Sequence, residues 1–127
     1  MSRAVLDASA VLAVLLSEGG AEAARPRLAG GCVSAVNYSE VLARAARRCG
    51  SLESARRQVD RYDLAVVAFD AEHAVVAAAL RPATDPAGLS FADRACLALG
   101  RARGLPVVTA DRAWARLDIG VTVELIR

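Results

Sequence analysis

Asp7, Glu40, Asp93 and Asp111 stand far apart in a chain of 127 residues, yet each follows an apolar, strand-like run or opens a helix. In a parallel α/β sheet the C-terminal strand ends and the helix starts that follow them form one edge, and ligands bind in the crevice there. Carboxylates gathered at such an edge raise one another's pKa and cost stability unless a cation joins them. Mg2+ or Mn2+, which take oxygen ligands, suit that set. An ion held this way in turn suits phosphodiester chemistry, because it neutralises phosphate oxygens and activates a bound water. Each acid also has a purely structural role open to it. Asp7 and Asp111 sit where a helix N-cap would sit, and Asn37-x-x-Glu40 and Ser90-x-x-Asp93 have the spacing of capping boxes.

The remaining composition excludes other chemistries. All 16 Lys+Arg positions are arginine, so a phosphate-binding loop with its Lys and Schiff-base catalysis are both ruled out. A single His73 leaves no histidine-rich zinc site. Cys32, Cys49 and Cys96 are odd in number and widely spaced, a pattern of reduced, buried thiols in a cytoplasmic protein. The apolar stretch from Ala4 to Leu16 carries Asp7 and is preceded only by Arg3; it is too short to span a bilayer and lacks the basic start of an export signal. The net charge is +2, and the arginines cluster at Arg44, Arg47 and Arg48, at Arg56, Arg57 and Arg61, and at Arg101 and Arg103. Such clusters either hold phosphates or form solvated helix faces.

The acids need a frame, and the hydrophobic pattern supplies one. Strand-like runs at Ala4-Val5-Leu6, Cys32-Val33-Ser34, Leu64 to Phe69, Pro106-Val107-Val108 and Val121 to Ile126 alternate with helical patterns. The helices are expected over Ser9 to Leu16, Ala21 to Leu28, Asn37 to Arg48, Leu52 to Tyr62, Ala71 to Leu80, Ser90 to Arg103 and Asp111 to Leu117. Gly50 and Gly104 fall just past two of them, where a left-handed C-terminal residue belongs. Pro82 to Gly88 reads as a loop, and Phe91, Ala95, Leu99 and Ala102 read as the inward stripe of their helix. Alternation of this kind predicts one three-layer α/β/α domain over residues 1–127, with a central, mainly parallel sheet of about five strands.

Four short segments also resemble a known family. Val5-Leu6-Asp7-Ala8-Ser9, Ser39-Glu40-Val41, Leu89-Ser90-Phe91-Ala92-Asp93 and Val108-Thr109-Ala110-Asp111-Arg112 are similar, in order and approximate spacing, to the motifs of PIN-domain nucleases. Among these they are most similar to the VapC-type toxins of bacterial toxin–antitoxin pairs. The resemblance implies an endoribonuclease dependent on Mg2+ or Mn2+, with Asp7, Glu40, Asp93 and Asp111 as the catalytic acids and Asp7 and Asp93 as metal ligands. It places the hydroxyl of Ser9 beside Asp7 and that of Thr109 beside Asp111. Hydrolysis would leave a 5′-phosphate and a 3′-hydroxyl. The partners implied are RNA, a VapB-type antitoxin and a second copy of the chain.

Arg94 and Arg112, next to the acids in sequence, are candidates for the substrate phosphates. Trp114 reads as a core anchor. The high apolar content leaves helix surface for self-association, expected around Val11 to Leu16 and Leu42 to Ala46. Two alternatives remain open. One is a PIN-like module that binds RNA or a partner without cleaving. The other is a receiver-type phosphoacceptor domain, which would require a Lys near its end and an acidic pair after the first strand, both missing from the sequence.

Overall fold

A computed structural model describes residues 3–127. Among them, five short strands, β1 (Val5–Leu6), β2 (Cys32–Ser34), β3 (Ala65–Val67), β4 (Val107–Thr109) and β5 (Val123–Leu125), form one parallel sheet in the order β3-β2-β1-β4-β5. Val5 is paired with Cys32 on one side and Val107 on the other, and Leu6 with Val108, which sets β1 at the centre. From β1 the chain builds outward through β2 and β3, then returns to build the other half through β4 and β5. The order therefore reverses between β1 and β4, and the crevice of such a sheet opens at that point.

Seven α-helices cover the sheet: α1 (Ala8–Leu15), α2 (Ala21–Leu28), α3 (Ala35–Cys49), α4 (Leu52–Asp60), α5 (Ala71–Ala79), α6 (Arg81–Thr84) and α7 (Phe91–Arg103), counted among the described residues. Successive strand residues point to opposite faces, and two cores result. Leu6 and Val108 pack with Val11, Val14, Leu28, Val41 and Val59 under α1 to α4. Val5 and Val107 pack on the other side with Leu80, Leu97, Leu99 and Trp114. Helices thus lie on both faces of a parallel sheet, as expected. Trp114 is fully buried, the anchor its position suggests.

Three local expectations are corrected. Pro82 does not open a loop: it stands in the first turn of α6, where its missing N–H has no hydrogen-bond duty, and Pro86 does the same in a 3-10 turn over Asp85–Ala87. The inward stripe of α7 fails at both ends, since Phe91 and Ala102 are exposed while every residue from Arg94 to Gly100 is buried. The cause is packing: the middle of α7 lies between the sheet and the helices α3 and α5. Gly100 lets it sit so close, because a Cβ there would come within 2.5 Å of Val107 Cγ2. Asp111 opens a 3-10 segment, Arg112–Arg116, instead of an α-helix.

Val11, Leu12 and Val14 of α1 are buried, whereas Leu15, Leu16 and Leu42 are half-buried, and Leu15, Leu16 and Ala45 line a groove open to the surface. Exposed large apolar side chains occur elsewhere, at Val75 (70%) and Phe91 (51%) among others. Cys32 and Cys96 are buried and reduced as expected, and Cys49 is exposed. Among the described residues no helix is long and apolar enough to cross a membrane.

Candidate active site

Asp7 leaves the C-terminal end of β1 and precedes α1. It occupies the N-cap position, yet its side chain makes no capping hydrogen bond. Its Oδ2 instead accepts the hydroxyls of Ser9, at 2.7 Å, and Thr109, at 2.8 Å. Thr109 ends the neighbouring β4, so the two central strands deliver the acid and its hydroxyl partner to the same edge. The Thr109 hydroxyl also accepts the backbone N–H of Asp111, and that of Ser9 accepts the N–H of Ala110. The resemblance places Thr109 beside Asp111; its hydroxyl accepts the Asp111 backbone N–H and donates to the Asp7 carboxylate.

The other three acids reach the same pocket. Asp7, Ser9, Glu40, Asp93 and Asp111 line it together with Ala8, Leu12 and Arg44. Asp93 completes a capping box with Ser90 at the start of α7, its Oδ2 accepting the Ser90 N–H at 2.9 Å. Asp111 caps the 3-10 segment after β4 through the N–H of Ala113. Glu40 stands within α3, whose N-cap is Ser34. Asn37 is thus no cap; its side-chain amide donates to Glu40 Oε1 at 3.1 Å. Capping and a place in the pocket are compatible for Asp93 and Asp111, because a cap occupies only one oxygen. Among the described residues no hydrogen bond reaches the second oxygen of Glu40, Asp93 or Asp111.

The four carboxylates differ in setting. Glu40 and Asp111 are exposed and Asp93 is half-buried, whereas Asp7 is 5% exposed. Burial pushes the Asp7 carboxyl up to about 6; the charge of Asp93 adds to the rise, and the Ser9 and Thr109 hydroxyls oppose it. The chemistry of this set suits a hard divalent cation: oxygen donors line the pocket, with neither imidazole nor thiolate among them. Among the described residues, however, no three acidic, His or Cys side chains already stand close enough to enclose an ion. The pocket therefore holds anchored carboxylates with room between them.

The two arginines singled out from sequence part company. Arg94 does not line the pocket. It is buried, donates to the carbonyl oxygen of Leu89 at 2.9 Å, and lies 3.5 Å from Asp85, so it fastens the segment before α7. Arg112 is exposed at the start of the segment capped by Asp111. The arginine that does line the pocket is Arg44, one turn after Glu40 on α3 and tied to Glu18 only by an exposed contact of 3.4 Å. Its spacing of four from Glu40 on a helix was the available signal. His73 is buried against Phe69, outside the pocket.

Because Val is close to Thr in shape, Thr109→Val tests the hydroxyl without emptying the site. Losing that donor leaves the Asp7 carboxylate less stabilised, so its carboxyl is expected to titrate at still higher pH. A carboxyl NMR titration of Asp7 that superimposes on that of the native chain would show that Thr109 does not hold Asp7 ionised.

Comparison with known proteins places these features in context. The profile of one family, the PIN domain, matches residues 4–120. A search of curated protein sequences returned no match. Among solved structures, a toxin–antitoxin complex from Klebsiella pneumoniae superposes with a TM-score of 0.78 at 17% identity, covering 98% of each chain. DNA-bound VapBC from Salmonella typhimurium gives 0.77 at 21% identity over 100% of both chains. VapC20 of Mycobacterium tuberculosis, named as a toxin that cleaves the sarcin-ricin loop, gives 0.72 at 19%, covering 93% of this chain and 98% of its own. At these identities the likeness is one of fold.

Proposed function

The chain belongs to the PIN-domain family, and on that premise we propose that it is a divalent-metal-dependent endoribonuclease, the toxin of a toxin–antitoxin pair. The observation that carries the reading is the convergence of Asp7, Glu40, Asp93 and Asp111 on one pocket at the reversal point of the sheet. Asp7 and Asp93 would hold Mg2+ or Mn2+, with Glu40 and Asp111 completing the acidic set. The bound ion would supply charge for the phosphodiester oxygens and a more acidic attacking water.

The chain's own residues do the rest. Asp7 must be ionised to serve, and the hydroxyls of Ser9 and Thr109 favour that state against the burial that opposes it. Glu40 and Asp111, the exposed members of the set, are the bases available for the proton that the attacking water gives up. Arg44 at the pocket and Arg112 beside it meet backbone phosphates. The products are a 5′-phosphate and a 3′-hydroxyl. Incubation of the purified chain with RNA and Mg2+, followed by end analysis, tests this; 2′,3′-cyclic phosphate ends, or no cleavage, would count against it.

The solved structures that are toxin–antitoxin complexes support a VapB-type antitoxin as partner; a role in the cytoplasm is part of the same proposal. A homodimer is part of the same proposal, since Val75 on α5 and Phe91 on α7 present apolar surface that a second copy would cover. Sedimentation at micromolar concentration is expected to give a dimer, and a strict monomer would contradict it. A non-catalytic PIN-like module is the second reading, favoured only by the spread of the acids across the pocket.

A further inference from the structure

Glu40 is anchored unlike the other acids of the pocket. Asp93 and Asp111 are each held by a backbone N–H within three residues, and Asp7 by two hydroxyls. Glu40 is held by the side chain of Asn37, and the same Nδ2 donates to the carbonyl oxygen of Ala92 on α7 at 3.0 Å. Ala92 immediately precedes Asp93. One amide group therefore joins the acid on α3 to the backbone that carries the acid on α7.

Asn37 is fully buried, and its Oδ1 meets no donor. The orientation of the amide follows from its neighbours: both groups facing Nδ2 are acceptors, so turning it over would set Oδ1 against a carboxylate and a carbonyl. A buried carbonyl oxygen without a donor destabilises the fold, a penalty that an apolar side chain of the same size would avoid. Stability alone does not account for asparagine here. Its two N–H groups do.

We propose that Asn37 is a positioning residue that fixes the Glu40 carboxylate against the α7 backbone beside Asp93, so that the two acids act as one set toward a divalent cation. The inference rests on the reading of the acidic pocket as a metal site. It assigns Asn37 no contact with substrate; its effect passes through Glu40.

Asn37→Leu keeps the size of the side chain and removes both donors. Mn2+ titrated calorimetrically into the full chain is expected to bind about tenfold or more weakly to this variant, the scale on which loss of a hydrogen-bonding group in the shell around a metal site acts. The metal-free melting temperature is expected not to fall, and for cleavage of an RNA oligonucleotide kcat drops while KM is unchanged. In a Glu40→Gln background, Asn37→Leu should weaken Mn2+ binding no further. If the Leu variant does not fold, Asn37→Ser carries the same comparison, because its short hydroxyl cannot serve both acceptors. A folded variant that binds Mn2+ and turns over like the native chain overturns the proposal, as does an additive effect with Glu40→Gln. A native chain that binds no Mn2+ overturns the reading of the pocket, and this proposal with it.

Discussion

Asp7→Asn abolishes RNA cleavage while leaving the metal-free protein more stable above pH 6 than the native chain. Asn keeps an oxygen to accept the Ser9 and Thr109 hydroxyls, so the hydrogen-bonded frame around position 7 survives. What it removes is the buried negative charge, and the rate should fall on the order of 10³-fold, as it does when a principal charge-stabilising group is lost. The stability change has the opposite sign. In the folded chain the Asp7 carboxyl titrates at about 6 instead of 3.8. The folded state thus holds this proton more tightly than the unfolded state, and stability falls as pH rises from the lower value to the higher. Ionisation of Asp7 costs on the order of 3 kcal/mol at neutral pH. The Asn variant escapes that cost, so its melting temperature should match the native value near pH 4 and exceed it by about 10 °C at pH 8. A variant that melts lower than the native chain at pH 8 without metal would show that burial of the Asp7 charge is not the dominant cost.

Removal of divalent ions has the second large effect. EDTA is expected to eliminate cleavage, and Mg2+ or Mn2+ to restore it. Ca2+ should fail, because its ligands sit about 0.3 to 0.5 Å further out than those of Mg2+ in a looser shell, which orients the attacking water poorly. The ion also offsets the cost of ionised Asp7. At about 100 times its dissociation constant it would stabilise the native fold by roughly 2.7 kcal/mol, an increment that the Asn variant should lack. Full cleavage under chelation would contradict the metal-dependent account.

Much of this was legible in the sequence because the signals are local. The runs at Val5-Leu6, Cys32 to Ser34 and Val107-Val108 are apolar and bounded by helix starts, and they form three adjacent strands. That placement puts Asp7 and Asp111 on one edge. What failed was what depends on neighbours. The stripe assigned to α7 assumed one buried face, but a helix packed between the sheet and other helices is buried around most of its middle. Arg94 looked available because it adjoins Asp93 in sequence, yet one residue along a helix is a turn of about 100°, and its side chain goes to Leu89 and Asp85. Arg44 and Asn37 lie four and three residues from Glu40, at distances that share a helix face. The spacing was visible; the capping-box reading of Asn37 hid its meaning, because only the structure shows that α3 starts at Ala35, after Ser34.

Sequencing of RNA 5′ ends after brief induction in cells addresses the central claim most directly, with the native chain compared against Asp7→Asn at equal expression. The account predicts new 5′-phosphate ends at defined positions with the native chain and none with the variant. The same ends in both, at similar abundance, would mean that the acidic pocket around Asp7 is not where RNA is cut.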